Sequence, residues 1–542
     1  MTCFMIKRIV CVLLALMLLA GCGAQSAPVS GTLTSEDITP PEQIVTEDVT
    51  EPPPPQETKP IITEPDFEIP SYGHAEIEEI DFDVQYCLEM YQAEGGELSG
   101  FAAVTDFREG YIGDGYVSGV SLPDSELRIT VESVANQHYN ITLCAASDQQ
   151  MNGIMYIDGS AFGSFSLSGS GSFEAVKFEN IYLSKGEHYI TFQKLSSEAD
   201  IDYIILEDSK EVVDFIYNAP GVLSNSKASQ KAIELYEYLC RNYGKATLSA
   251  QQCSQGTNAE IYEVLRYTGK YPAIRFGELM DYATGSDSND IEYAINYAQN
   301  GGIVGYVWHW VKGGSVYSDK SDFDLKKAVN AHDIGRMNEG KLNELYESGG
   351  VSDEAMSLLA DIDEIAAELL RLKELDIPVL FRPLPEASGG WYWWGEDKDA
   401  YLWLYRLIYL RLTDYWHLDN LVFVWNGQDK DWYVGDEWCD IISLDIYDFS
   451  GEAWDSSSRV NLMHTAQRIS LSKPVVISEC NVLPSPVNIV TDRAYFGYAC
   501  VWSGGYVTDE QGGFGGDMDE SEWVSFYNSS AVITRDELEF NK

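Results

Sequence analysis

The chain has 542 residues, with 35 Lys and Arg against 86 Asp and Glu, a formal charge of −51. That balance excludes a nucleic-acid binder, which needs a basic surface to neutralise phosphates, and a protein held to anionic lipid by charge. A hydrophobic fraction of 45% with 34 Tyr, 20 Phe and 13 Trp excludes a wholly disordered acidic chain. So many flat rings on an acidic chain suit a neutral polar ligand such as a sugar.

Residues 1–21 read as an export signal. Lys7 and Arg8 precede an apolar run over 9–20 that is too short to span a bilayer comfortably. The run ends in Leu19-Ala20-Gly21-Cys22, which resembles the bacterial lipoprotein cleavage box. The resemblance implies lipidation of Cys22 and an exported, cell-surface protein that meets the membrane through its lipid anchor only. The alternative is an ordinary signal with an incidental Cys. Beyond Cys3, Cys11 and Cys22 seven cysteines remain, an odd number with no CxxC or Cys/His zinc spacing. They read as buried small apolar residues.

Residues 22–75 form a segment in which nine of the 19 prolines lie between Pro40 and Pro70, including Pro52-Pro53-Pro54-Pro55, among acidic residues and Thr. Such a segment cannot bury a core and is expected to be a disordered, extended tether. From 76 to 210 short alternating runs, at 127–131, 139–143, 154–157 and 188–192, are separated by Gly, Ser and Asp clusters. Regular short strands with turn signals predict an all-β sandwich. From 225 to 542 helical and strand patterns alternate. Helices are predicted over 229–243, 352–375 and 399–416, and buried strands over 378–382, 421–425, 441–445 and 474–478. Repeated βα units over some 300 residues predict a (β/α)8 TIM barrel, and no Gly-rich phosphate loop supports the competing dinucleotide-binding sheet.

In such a barrel, side chains at the C-terminal ends of strands converge on one site. Glu386 and Glu479 occupy two such ends. A pair of carboxyls facing across a sugar is what retaining glycoside hydrolysis needs, one protonated to donate and one ionised to attack. The alternative is that each caps a strand or pairs with an Arg. Gly389-Gly390-Trp391-Tyr392-Trp393-Trp394-Gly395 follows Glu386, and four aromatics in a loop are explained by stacking on sugar faces, or in part by plugging the barrel mouth.

At these residues the chain resembles glycoside hydrolase family 26. The run from Phe381-Arg382-Pro383-Leu384-Pro385-Glu386 to Gly395 is similar to the family's acid/base block. Four other stretches resemble it in order. They are Trp308-His309-Trp310, the segment 432–447, the strand ending in Glu479, and the one containing Trp502. The resemblance implies a retaining, endo-acting β-mannanase, with a β-glucanase (lichenase), a xylanase, or a weakened glycan-capturing lipoprotein as alternatives. It implies Glu386 as acid/base, Glu479 as nucleophile and Tyr447 as the donor orienting Glu479. It also implies Trp308, His309, Trp391, Trp394 and Trp502 as sugar contacts, with β-mannan as the polysaccharide and no cofactor for catalysis. Arg382 either orients a carboxylate or forms a salt bridge inside the barrel. The chain departs from the family at Pro385, where His is usual, and at Glu278, where Asp is usual. Proline removes a donor beside the reacting sugar. The sandwich is similar to family 35 or family 6 carbohydrate-binding modules. That likeness implies a structural calcium held by Gln92, Glu94 and Asp202.

Overall fold

A computed structural model describes residues 66–77, 84–209, 217–286, 288–449, 458–508 and 513–540, with isolated residues 62 and 454. The expected signal, Cys22 and most of the tether lie outside the described residues.

The first folded unit is a sandwich of two antiparallel sheets. One orders the strands β3 (Ala103–Thr105), β4 (Tyr116–Ser118), β11 (Asp200–Asp208), β6 (Gln137–Ala146) and β9 (Glu174–Leu183), with β1 (Leu88–Gln92) also on β11. The other orders β2 (Glu97–Ser99), β5 (Glu126–Ser133), β10 (Gly186–Gln193), β7 (Met151–Ile157) and β8 (Ser160–Leu167). Period-two alternation explains the core: Leu127, Ile129 and Val131 of β5 point inward against Ile141, Leu143 and Ile204.

The second unit is a closed parallel barrel. Its strands run β12 (Thr247–Gln252), β13 (Ile274–Glu278), β14 (Ile303–Trp308), β15 (Val379–Pro383), β16 (Leu421–Trp425), β17 (Ile441–Ile446), β18 (Val475–Cys480) and β19 (Tyr498–Val501). Each pairs with the next, and β19 returns to β12, which also pairs β13. Buried on both faces, the strands read as near-continuous apolar runs. A short β20 (Val532–Ile533) adds beside Thr247 and Leu248 at the start of β12.

The predicted helices sit where the periodicity places them. The helix Gln230–Asn242 is capped by Ser229, and Asp353–Lys373 by Ser352, whose side chain accepts from Ala355 N. The helix expected over 399–416 is α-helical over Lys398–Leu410 and then widens into a π turn at Arg411–Tyr415.

The two units are fastened together. Tyr182, at the end of β9, enters the barrel core, where its hydroxyl donates to Asp492 Oδ1 at 3.0 Å. Its backbone N–H and C=O pair with the amide of Asn461 at 3.2 and 3.3 Å. Burial pushes the Asp492 carboxyl up to about 7.

One boundary differs from the composition. The tether is predicted through residue 75, yet residues 66–77 lie against the barrel. Ala75 N donates to Asn528 O at 2.8 Å, Ser530 N to Ala75 O at 2.9 Å, and Arg266 stands over the Phe67 ring at 5.0 Å. Pro70 packs so closely on Gly269 that a Cβ there would come within 2.1 Å of its carbonyl oxygen. A single Phe and a run of main-chain donors decide the docking, and proline content does not reveal either.

Candidate active site

The strand β15 ends in an unusual turn. Leu384 and Glu386 both have φ of +53°, a left-handed conformation that costs a non-glycine residue on the order of 1–2 kcal/mol. Specific bonds hold it. Glu386 N donates to Asn426 O at 2.8 Å and to Asn426 Oδ1 at 3.0 Å, and the Trp394 indole donates to Pro385 O at 2.9 Å. The turn lifts the Glu386 side chain off the strand and over the barrel mouth.

Glu479 stands inside β18, one residue before its end. The Arg382 guanidinium donates to its Oε1, and Tyr447 donates from its hydroxyl to Oε2 at 2.8 Å. Both carboxylate oxygens are thereby fixed, one beside a cation. Arg382 is buried and also donates to Asp445 Oδ1 at 2.9 Å, so its two expected roles, orienting a carboxylate and forming a buried salt bridge, are one arrangement. Asn426 Nδ2 donates to the same Asp445 oxygen at 3.2 Å and to Ser443 Oγ at 3.0 Å. One oxygen from each of Glu386, Asp445 and Glu479 lies within 4.8 Å of the other two.

Three carboxyls at that spacing in a dry site cannot all ionise. Burial first, and then the charges of Asp445 and Glu479, push Glu386 well above the ordinary glutamate range. Asp445 is pushed up to about 8 by burial, with Arg382 and Asn426 working against the shift and Glu479 adding to it.

The structure brings Glu386, Glu479, Tyr447, His309, Trp391 and Trp502 to the strand C-terminal end. The His309 ring stands 5.8 Å from Trp502 and 5.6 Å from Tyr392, centroid to centroid. Its Nδ1 is 2.6 Å from Glu278 Oε2, which leaves Nε2 as its remaining polar atom. Glu278 also accepts the backbone N–H of His309 at 3.1 Å, so the residue that departs from the family pattern serves to hold this His. Trp391 and Trp502 are half-exposed.

Two expected sugar contacts need correction. Trp308 and Trp394 are each 0% exposed. Trp308 is stacked on Trp310 at 4.1 Å and Trp394 on Tyr392 at 4.4 Å, so neither offers a face to a ligand. Of the four aromatics after Gly390, Trp393 and Trp394 plug the barrel while Trp391 and Tyr392 reach the surface. The sequence reading missed Asp445 and Asn426. Each follows or ends a buried strand at the mouth, and that position was the available signal.

In the sandwich, Gln92, Glu94 and Asp202 face one turn at residues 111–114. Glu94 Oε1 accepts from Asp114 N at 3.0 Å, and Asp202 Oδ2 from Ile112 N at 3.1 Å. Gln92 Oε1 and Glu94 Oε2 are buried without a hydrogen-bond partner among the described residues. A Cβ at Gly113 would meet Glu94 Oε1 at 2.6 Å and Gln92 Oε1 at 3.1 Å. Burial, then the Glu94 charge, pushes Asp202 up to about 6. Converging oxygens with orphaned lone pairs are a donor set that suits a hard cation.

Comparison with known proteins agrees with this geometry. Residues 224–537 match the glycosyl hydrolase family 26 model. A mannan endo-1,4-beta-mannosidase of Thermothelomyces thermophilus is 31% identical over 474 residues, covering 83% of this chain and 90% of that protein. The crystal structure of the Podospora anserina GH26-CBM35 beta-(1,4)-mannanase is 28% identical with a TM-score of 0.54, covering 84% of this chain and 99% of that one. A ruminal GH26 endo-beta-1,4-mannanase shares the fold at 22% identity and a TM-score of 0.56, over 85% of this chain and all of that one. With well over half of its length inside the family model, the chain belongs to glycosyl hydrolase family 26.

Proposed function

We propose that the protein is a retaining, endo-acting β-mannanase that hydrolyses β-1,4-mannosidic bonds. The observation that carries the reading is the Glu386–Glu479 pair, with carboxyl oxygens within 4.8 Å across the barrel mouth. Retention needs carboxyls about 5–5.5 Å apart, whereas inversion needs about 6.5–9.5 Å to admit a water. Glu386, kept protonated by burial and its acidic neighbours, donates its proton to the glycosidic oxygen as that bond breaks. Glu479, gripped by Arg382 and Tyr447, attacks the anomeric carbon and forms a glycosyl-enzyme ester. Glu386, now a carboxylate, takes a proton from the water that cleaves the ester. Trp391 and Trp502 stack on sugar rings, and His309 meets a hydroxyl through Nε2.

Mannan as the polymer is supported by the names of the Thermothelomyces and Podospora relatives. Purified protein is tested on mannan, mixed-linkage β-glucan and xylan, with product anomers followed by NMR. Release of mannan oligosaccharides with retained configuration is expected; release from β-glucan or xylan alone would reassign the polymer. Glu479→Ala should abolish turnover on every substrate. Glu386→Ala should lose least on aryl glycosides with activated leaving groups, which need no proton.

Three companion readings are part of the proposal. The sandwich is a sugar-binding module, as the name of the Podospora protein supports. Gln92, Glu94 and Asp202 hold a calcium ion there, supported by the orphaned oxygens of Gln92 and Glu94. Calcium should raise the melting temperature of chelator-treated protein, and Asp202→Ala should remove that response. Cys22 carries a lipid anchor, supported by the Leu19-Ala20-Gly21-Cys22 box. Cys22→Ala should move the protein from the membrane fraction into the medium.

A further inference from the structure

Trp502 is held by side chains that stand outside the catalytic set. The strands β12 and β19 are neighbours, with Leu248 opposite Tyr498 and Gln251 opposite Val501. Just past their C-terminal ends, Glu260 closes the gap between the loops that follow. It sits in the first turn of the helix Ala259–Thr268 and is 5% exposed. Its Oε1 accepts from Ser254 N and from Gly504 N, each at 3.2 Å, and also from the Ser254 hydroxyl. Ser254 follows β12, and Gly504 lies two residues past Trp502.

Other bonds fix the same loop from its remaining sides. Trp502 N donates to Cys480 O at 3.0 Å, and buried Gln251 donates from Nε2 to Val501 O at 3.2 Å and to Trp502 O at 3.4 Å. At Gly504 the chain turns in the left-handed region, φ +66°, and its amide donates to the Glu260 carboxylate. Without Glu260 the Gly504 end of the turn keeps no side-chain acceptor from the neighbouring loop, while the Trp502 end stays bound.

We infer that Glu260 is a positioning residue for sugar binding: it fixes the tilt of the Trp502 indole, the plane on which a pyranose of the bound chain stacks. A charged acceptor suits this task, because one oxygen takes three donors and charge-assisted bonds resist bending. Burial keeps water from substituting for it. The inference rests on the reading of Trp502 as a sugar platform under the proposed function.

The test is steady-state kinetics of the full-length chain on β-1,4-manno-oligosaccharides for Glu260→Ala, Glu260→Gln, Trp502→Ala and the Glu260→Ala/Trp502→Ala double variant. Thermal melting is followed in parallel. Glu260→Ala should raise KM by about five- to fiftyfold while kcat changes less than about threefold, the pattern of lost binding common to ground and transition states. Glu260→Gln keeps the Oε1 acceptor and should recover most of the affinity. In the Trp502→Ala background the Glu260 change should add less than about twofold, since its effect runs through the missing ring. An equal KM penalty in both backgrounds would overturn the inference, as would an unchanged KM in Glu260→Ala. A wild-type KM for Trp502→Ala would instead overturn the stacking reading beneath it. Should Glu260→Ala fold too poorly to assay, Ser254→Ala, which removes one of the three donors, gives the same comparison at smaller size.

Discussion

Asp445 sets the pH range in which Glu386 can work. Its charge is among the causes that lift the Glu386 carboxyl, after burial itself. A general acid acts while protonated, so kcat/KM should fall as pH rises through the raised Glu386 value. Asp445→Asn removes one negative neighbour, so the alkaline limb should move to lower pH, with kcat down by roughly tenfold or more on unactivated substrates. A pH–rate profile reads both, and an unmoved alkaline limb would show that Asp445 does not tune the acid. At this scale the sequence was partly legible. Glu386 and Glu479 stand out because a carboxylate ending an apolar strand has few structural uses. Which face of an aromatic loop looks outward depends on what packs behind it, so Trp394 could not be told from Trp391. Asn426 belongs to none of the family-like stretches and Asp445 is one of many residues in the 432–447 block, and their roles exist only once β16 and β17 lie side by side.

Among the elements, the turn after β15 is the most demanding, and Asn426 is its brace. Asn426→Ala would delete the Oδ1 acceptor for Glu386 N and the donors to Ser443 and Asp445, while keeping the main-chain bond. Loss of about 1–3 kcal/mol of stability is expected, with kcat falling more than KM rises because the acid is displaced. Thermal melting and kinetics on natural against activated substrates separate the two effects. A control lies in the outer ring of helices. Ser352→Ala removes the cap of the helix Asp353–Lys373 and should cost about 1 kcal/mol with no change in kcat. Elements with strong periodicity were readable to within one or two residues, as at Ser229 and Ser352. The π turn at Arg411–Tyr415 was not, because its apolar spacing continues that of the helix before it. Nor was β20, two residues long and defined by its neighbour alone.

For the whole molecule the junction of the two units is a titratable contact. Asp492 is buried against Tyr182 and Thr491, with the positive charge of His188 working against its shift. Its folded value of about 7 lies above the ordinary 3.8, so the folded state binds the proton more tightly. The contribution is therefore complete below about pH 4 and is lost as pH rises toward 7, an effect on the order of 2–4 kcal/mol. Melting temperatures at pH 5 and pH 8 should differ less in Asp492→Asn, which keeps an acceptor for Tyr182 without the charge. An unchanged difference would place the pH sensitivity elsewhere.

The strap at residues 66–77 also sets the face of the barrel at which the preceding chain arrives. It runs beside Asn528 and Ser530, next to β20 and the start of β12, so it lies under the floor of the barrel. Glu386 and Glu479 stand at the opposite ends of their strands. Any tension carried by the chain before Asp66 therefore enters the protein at its underside and passes through the Ala75 bonds into the barrel wall, not through the sandwich. An anchor at Cys22, as proposed, would therefore pull on the face opposite the mouth. A polysaccharide strand could then be taken from the far side without threading between the enzyme and the surface that holds it.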